Sequence, residues 1–224
     1  DTWLVQPGGV NSEIKTTLPD ASGRPVPALL VKGSGTDMRT IGRKGFSRLS
    51  LEGLAALRGV SSMSDYEMMR FMGDCMLGRE GPAPSVETPL HSLLPHRVIV
   101  HTHDVATMSL TNVKDELAER LVQEVFEGTV AYMPYARPGF PLARTVDLIA
   151  DTIPEGTIGM TLAHHGLVIW ADDADECHER LTASIARLDE FLKASRKGRQ
   201  VLGAPRAKGT TSAERARAAL AVLP

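Results

Sequence analysis

Beyond residue 60 the chain alternates two hydrophobic periodicities, and that alternation limits the fold more than any other feature. "SDYEMMRFMGDCML" (64–77) places apolar residues at helical spacing behind Ser64 or Asp65 as N-cap. "SVETPLHSLLP" (85–95) is a short helix closed by Pro95, and "RVIVHTH" (97–103) is a strand. "KDELAERLVQEVF" (114–126) is an amphipathic helix, and "TVAYMPY" (129–135) a further strand. "FPLARTVDLIADTI" (140–153) is a helix with Pro141 in its first turn. "TIGMTLAHHGLVIWAD" (157–172) is a strand pair bent at Gly166, and "ADECHERLTASIARLDEFLKA" (174–194) is a long final helix. The first ~45 residues are punctuated by Gly and Pro, with short strands such as "ALLVK" between the turns. Strands alternating with helices give an α/β layered domain. Several links are too short for right-handed crossovers, so the sheet is expected to be substantially antiparallel.

Bulk properties narrow the class. The 224 residues suit one compact domain with a full core. No stretch approaches 18 uninterrupted apolar residues, so no membrane span is expected. Two cysteines, Cys75 and Cys177, are too few for a disulfide scaffold and lack paired metal spacing. With no signal-peptide pattern, the reading is a cytoplasmic protein with two ordinary, half-buried thiols. From Lys193 onward there are eight Lys/Arg and one Glu, whereas residues 1–192 carry 17 basic and 26 acidic side chains. The basic end reads as a solvated tail, residues 196–224, appended to a domain spanning 1–195, and no nucleic-acid partner is expected.

Three local signals carry chemistry. His101 and His103 lie two apart on a strand, so both imidazoles face one side. Neutral imidazole suits Zn²⁺, and "AHHG" offers His164 or His165 as a third ligand. Three histidines would leave one coordination position open, the catalytic arrangement of zinc. Glu87 opens the short helix 14 residues before His101, either as a base beside a metal or as a first-turn glutamate behind a Ser85 cap. "PGGVNS" (7–12) and "KGSGTD" (32–37) expose backbone N–H groups that can hold an anion. Neither matches a P-loop or dinucleotide fingerprint, and no G-x-S-x-G elbow is present.

The order Gly-rich-Asn, Ser-Gly loop, "PSVETPLH", "HTH", "HHG" resembles the class II aldolase/adducin family over residues ~5–195. "VKGSGTDMRT" and "PSVETPLHSLLP" look most like the aldolase part of bifunctional rhamnulose-1-phosphate aldolase/dehydrogenase proteins. In those proteins a dehydrogenase domain would follow at about the point where this sequence ends, so a stand-alone domain and a fragment both stay open. The resemblance implies a three-layer α/β/α sandwich around a mainly antiparallel sheet. It implies metal ligands at His101, His103 and His165, the histidine directly before glycine. It implies Glu87 as acid/base, and Asn11, Ser34, Gly35 and Ser85 around the phosphate or distal part of the substrate. The cofactor would be Zn²⁺, or Mn²⁺ or another divalent transition ion. The activity would be cleavage or formation of a ketose or ketose phosphate through a metal-stabilised enediolate, in a homo-oligomer, a tetramer by resemblance. Sister reactions of the scaffold are epimerisation of pentulose phosphates, dehydration and decarboxylation, and adducin-like members bind without catalysis. Two positions depart from the pattern: Val10 where many members have Gly before the Asn, and Val86 where many have a second Ser before the Glu. No tyrosine lies between His103 and Thr129 to match the acid that some members use, and neither Tyr132 nor Tyr135 is assigned that role.

Overall fold

The computed structural model describes residues 10–78 and 80–195. The proposed tail, 196–224, and the first part of the loop 7–12 lie outside the described residues. Seven strands form one mixed sheet: β1 (Val10–Pro19), β2 (Pro25–Lys32), β3 (Phe46–Ser50), β4 (Val98–Thr102), β5 (Val130–Met133), β6 (Gly159–Leu162) and β7 (Gly166–Ala171). Their spatial order is β3-β2-β1-β4-β7-β6-β5. Among the described residues only β5 and β6 run parallel; every other neighbouring pair is antiparallel. That parallel pair is joined through residues 134–158, a stretch long enough for the crossover that parallel neighbours require.

Helices cover both faces. On one side lie α1 (Leu51–Ala55), α2 (Asp65–Asp74), α3 (Thr88–Leu93) and α6 (Phe140–Ile149). They bury Leu54, Met72, Leu90 and Val146 against Leu29, Val31, Ile99 and Trp170 of the sheet. On the other side α4 (Val105–Thr111), α5 (Asp115–Phe126) and α7 (Ala174–Ser195) pack Leu110, Phe126 and Leu188 against Val98, Leu167 and Ile169. Alternation along each strand sends successive side chains to the two layers. The result is the three-layer, mainly antiparallel α/β fold. Among the described residues no helix is long and apolar enough to cross a membrane.

Local chemistry accounts for the element ends. Ser64 accepts from the Glu67 amide while the Glu67 carboxylate accepts from the Ser64 amide, a reciprocal capping box that starts α2. Pro141 sits in the first turn of α6, where its missing N–H costs nothing. Three elements differ from the sequence reading. The bend between β6 and β7 falls at Ala163–His165, with Gly166 opening β7 rather than making the turn. His103 stands just past the end of β4, which stops at Thr102. The α4 helix was not expected, because its Thr107, Ser109 and Thr111 are weak helix formers; Asp104 starts it by accepting from the Thr107 amide.

Both thiols are buried rather than half-buried, Cys177 completely, and burial pushes Cys177 up to about 11 and raises Cys75 as well. Native protein at pH 8 should therefore react with a thiol reagent at well under one equivalent on the assay timescale, and with two equivalents once unfolded. Rapid reaction of either thiol in native protein would contradict this packing.

Candidate active site

The site is built where β4 ends. His101 pairs with Asn11 on β1 and with Val168 on β7, so it is held between two antiparallel neighbours and fully buried. Its Nδ1 lies 3.0 Å from the Leu167 carbonyl oxygen. A carbonyl only accepts, so Nδ1 carries a proton, and in the neutral ring Nε2 presents a lone pair. That Nε2 faces His103 Nε2 at 2.8 Å and Glu87 Oε1 at 3.4 Å. His165 follows the β6–β7 turn and brings its Nε2 to 2.9 Å from Glu87 Oε1. One ligand atom from each of Glu87, His101, His103 and His165 lies within 4.8 Å of the other three.

His164 does not join them. Its backbone takes a left-handed φ of 55°, and its exposed ring bonds instead to the Asn112 side chain at 3.1 Å. The turn thus sends the two neighbouring rings apart. Gly166 lets the remaining rings close in. A Cβ there would lie 2.1 Å from the Thr102 carbonyl oxygen and 3.1 Å from ring carbons of both His101 and His103.

The backbone after His103 is fixed by a buried carboxylate. Asp104 accepts from the Thr107 amide and hydroxyl, both at 2.8 Å, and from the Thr102 hydroxyl at 3.1 Å. Sequence reasoning passed over Asp104, although an Asp three residues before Thr107 is a capping signal.

Glu87 is the N-cap residue of α3 rather than part of its first turn, and the Ser85 hydroxyl accepts from its amide at 3.3 Å. Asn11 Nδ2 donates to Glu87 Oε2 at 2.5 Å and to Ser85 Oγ at 3.0 Å. Burial alone would raise the Glu87 pKa, but the imidazoles of His101 and His165 outweigh it and hold the carboxyl far below the usual range. Glu87 is therefore ionised at neutral pH. Ser34 and Gly35 stand on a neighbouring loop that zips to the segment before Ser85. The Ser34 amide donates to the Ala83 carbonyl at 2.8 Å, Gly33 bridges Pro84, and Gly35 takes a φ of +74°. Among the described residues no hydrogen bond links Ser34 or Gly35 to the histidines directly. Lys32, missed in the sequence, ends β2 with its side chain buried. Burial lowers its pKa, while the fields of Asp37 and Glu87 act in the opposite sense.

The donor set fits a divalent transition ion. Three imidazole nitrogens and a carboxylate oxygen are the ligand types of zinc, and a lone-pair nitrogen facing a second ring nitrogen at 2.8 Å calls for a proton or a cation between them. The His101–Leu167 hydrogen bond is the kind of outer contact that fixes a ligating tautomer.

Comparison with known proteins places this geometry in context. Residues 17–186 match the family described as Class II Aldolase and Adducin N-terminal domain. The chain is 33% identical to the N-terminal class II aldolase domain of a conserved protein from Thermoplasma acidophilum, with a TM-score of 0.78 over 86% of this chain and 87% of that one. It is 29% identical over 206 residues to an uncharacterized oxidoreductase, YuxG, of Bacillus subtilis, covering 92% of this chain but 30% of that protein. It is 28% identical over 119 residues to a methylthioribulose-1-phosphate dehydratase of Acidiphilium cryptum, covering 47% of this chain and 56% of the dehydratase. The chain thus spans under two thirds of the length of both curated relatives. A sugar-phosphate aldolase from Thermotoga maritima shares the fold at a TM-score of 0.62 and 15% identity, over 89% of this chain and 91% of that one.

Two outcomes follow from the packing. Gly166→Ala should lower stability by about 1–3 kcal/mol, the scale of core overpacking, and weaken Zn²⁺ binding at least ~10-fold in chelator competition, the scale on which disturbed ligand support acts. Unchanged affinity would mean that ring placement does not depend on that gap. Burial first, then the neighbouring His101 and His165, pushes His103 down to about 4. Its folded pKa is below the unfolded ~6.5, so its contribution to stability is present above ~6.5 and lost as pH falls toward about 4. In chelator-treated protein the His103 ring should titrate near that lower value by NMR; titration near ~6.5 would contradict its burial.

Proposed function

We propose, from the premise that the chain belongs to the class II aldolase and adducin family, that it is a divalent-metal-dependent aldolase acting on a ketose or ketose phosphate. The observation that carries this reading is the convergence of His101, His103, His165 and Glu87 at the end of β4. The three histidines would hold the ion, Zn²⁺ first and Mn²⁺ second by donor type. When bound, such an ion acts as a Lewis acid toward the ketose carbonyl and its adjacent hydroxyl, stabilising the negative charge that develops there.

The chain's own groups do the rest. Glu87, ionised and oriented by Asn11, moves the proton at the carbon next to the carbonyl, accepting it in the direction of synthesis and returning it in cleavage. Ser34, Gly35 and Ser85 would bind the distal part of the substrate, and Lys32, close enough to feel the field of Glu87, would add a positive charge nearby. Val10 and Val86 remove a small residue and a hydroxyl from that region. Burial of Glu87 and His101 keeps bulk water from the proton being moved. The homotetramer belongs to the same reading and rests on family resemblance. A second reading, dehydration of a thioribulose phosphate, is favoured by the sequence similarity to the dehydratase.

The test offers zinc-loaded protein L-rhamnulose 1-phosphate, L-fuculose 1-phosphate and methylthioribulose 1-phosphate, and follows aldehyde release against loss of water. Aldehyde release supports the aldolase, and loss of water without it moves the assignment to the dehydratase. Glu87→Gln should keep its zinc and lose at least ~10²-fold in turnover. His103→Ala should lose both zinc and turnover. Wild-type rates in Glu87→Gln with full zinc would remove the proton-transfer role from Glu87.

A further inference from the structure

Three alternate residues of β1, Asn11, Glu13 and Lys15, point to the layer that holds α3. In a strand between two others, under a helix, such positions are ordinarily apolar. Here each polar group meets a different part of α3. Asn11 bonds to Glu87 at the start of the helix. Glu13 brings Oε2 to 3.4 Å from Nδ1 of His91 at its middle, with both side chains fully buried. Lys15 Nζ donates to the carbonyls of His91 (3.3 Å), Leu94 (2.5 Å) and His96 (2.6 Å) at the far end.

The α3 helix has only six residues. A helix that short has almost no stability of its own, so its placement comes from what grips it. Its last carbonyls have no partners within the helix, and an ammonium is the group best matched to them. Lys15 is held there despite burial, which lowers its pKa while Glu13, 4.0 Å away, acts to raise it. These contacts form a rail along which β1 holds α3; the His91 ring also packs edge-on against His101, at 6.3 Å between centroids, so the middle of the rail touches the histidine cluster.

We propose that Lys15 is a positioning residue for Glu87: by locking the C-terminal end of α3 to β1, it sets the depth at which the N-terminal end presents the Glu87 carboxylate to Asn11 and the histidines. The inference rests on the reading of Glu87 as the group that moves the proton. A six-residue helix rises about 9 Å, so Lys15 acts on Glu87 only through α3 and touches no substrate.

The test uses zinc-loaded Lys15→Met and Lys15→Arg, each confirmed folded by circular dichroism. The first readout is the Asn11 side-chain amide in an ¹⁵N spectrum, which reports the bond to Glu87 without any substrate. Lys15→Met should speed its hydrogen exchange at least ~10-fold, the factor that marks one lost hydrogen bond of ordinary strength, and Lys15→Arg should restore protection. The second readout is turnover of whichever of the three sugar phosphates the wild type converts. Lys15→Met should lower kcat about 10-fold with little change in KM, and should add no further loss when combined with Glu87→Gln. If Lys15→Met is too unstable, Glu13→Gln probes the same rail by the same two readouts. An unchanged Asn11 amide in the folded variant, or losses that multiply in the double variant, would overturn the proposal. A wild-type rate in Glu87→Gln alone would instead overturn the role of Glu87, leaving the amide readout to judge the positioning.

Discussion

β4 is flanked on both edges by antiparallel partners, β1 and β7, and their registers place Asn11 and the Leu167 carbonyl beside His101. The β1 pairing sets Asn11 directly across from His101. The β7 pairing brings the Leu167 carbonyl within reach of its Nδ1. A slip of one residue in either pairing would turn His101 into the opposite layer. Hydrophobic packing resists such a slip, because Ile99 and Val98 belong to different cores on the two faces. The apolar layers therefore fix the register, and the register fixes the chemistry.

The polar groups have a cost that this arrangement must offset. Glu13, Glu87, His91, His101 and Asp104 are all buried among the described residues. Asp104 is satisfied by three donors, and Glu87 by Asn11 together with the His165 imidazole. Glu13 is different: among the described residues no hydrogen bond reaches either oxygen, and His91 and Lys15 are the charged or titratable groups beside it. Buried polar groups with incomplete partners are tolerated where they hold a functional geometry. Glu13 lies in the middle of the contact between β1 and the helix that Glu87 caps.

Much of this was legible in the sequence, for reasons that differ by element. The helices α2, α5, α6 and α7 announce themselves by apolar spacing and by Ser64 and Pro141 at their starts. The antiparallel sheet followed from short links. The H-x-H pair was readable because strand alternation is a local rule; the residues of "AHHG" alone left His164 and His165 open, and the resemblance selected His165. Other features needed the third dimension. α4 hides behind β-branched and hydroxyl residues, with only Asp104 to mark it. The Asn11, Glu13 and Lys15 stripe looks in sequence like a solvent-facing edge, since alternating polar residues are the mark of an exposed face. Its burial depends on α3 lying over it, which no local pattern encodes. The tight approach at Gly166 is likewise a contact between distant strands.

The central claim is that His101, His103 and His165 bind one ion together. X-ray absorption at the zinc K-edge, on protein loaded with one equivalent of Zn²⁺ and washed of excess, reads that coordination directly. The expected spectrum shows a shell of three imidazole nitrogens at ~2.0–2.1 Å with oxygen completing it, including the outer-ring scattering that marks histidine. A shell of oxygens alone, or zinc that washes out below stoichiometry at neutral pH, would contradict it.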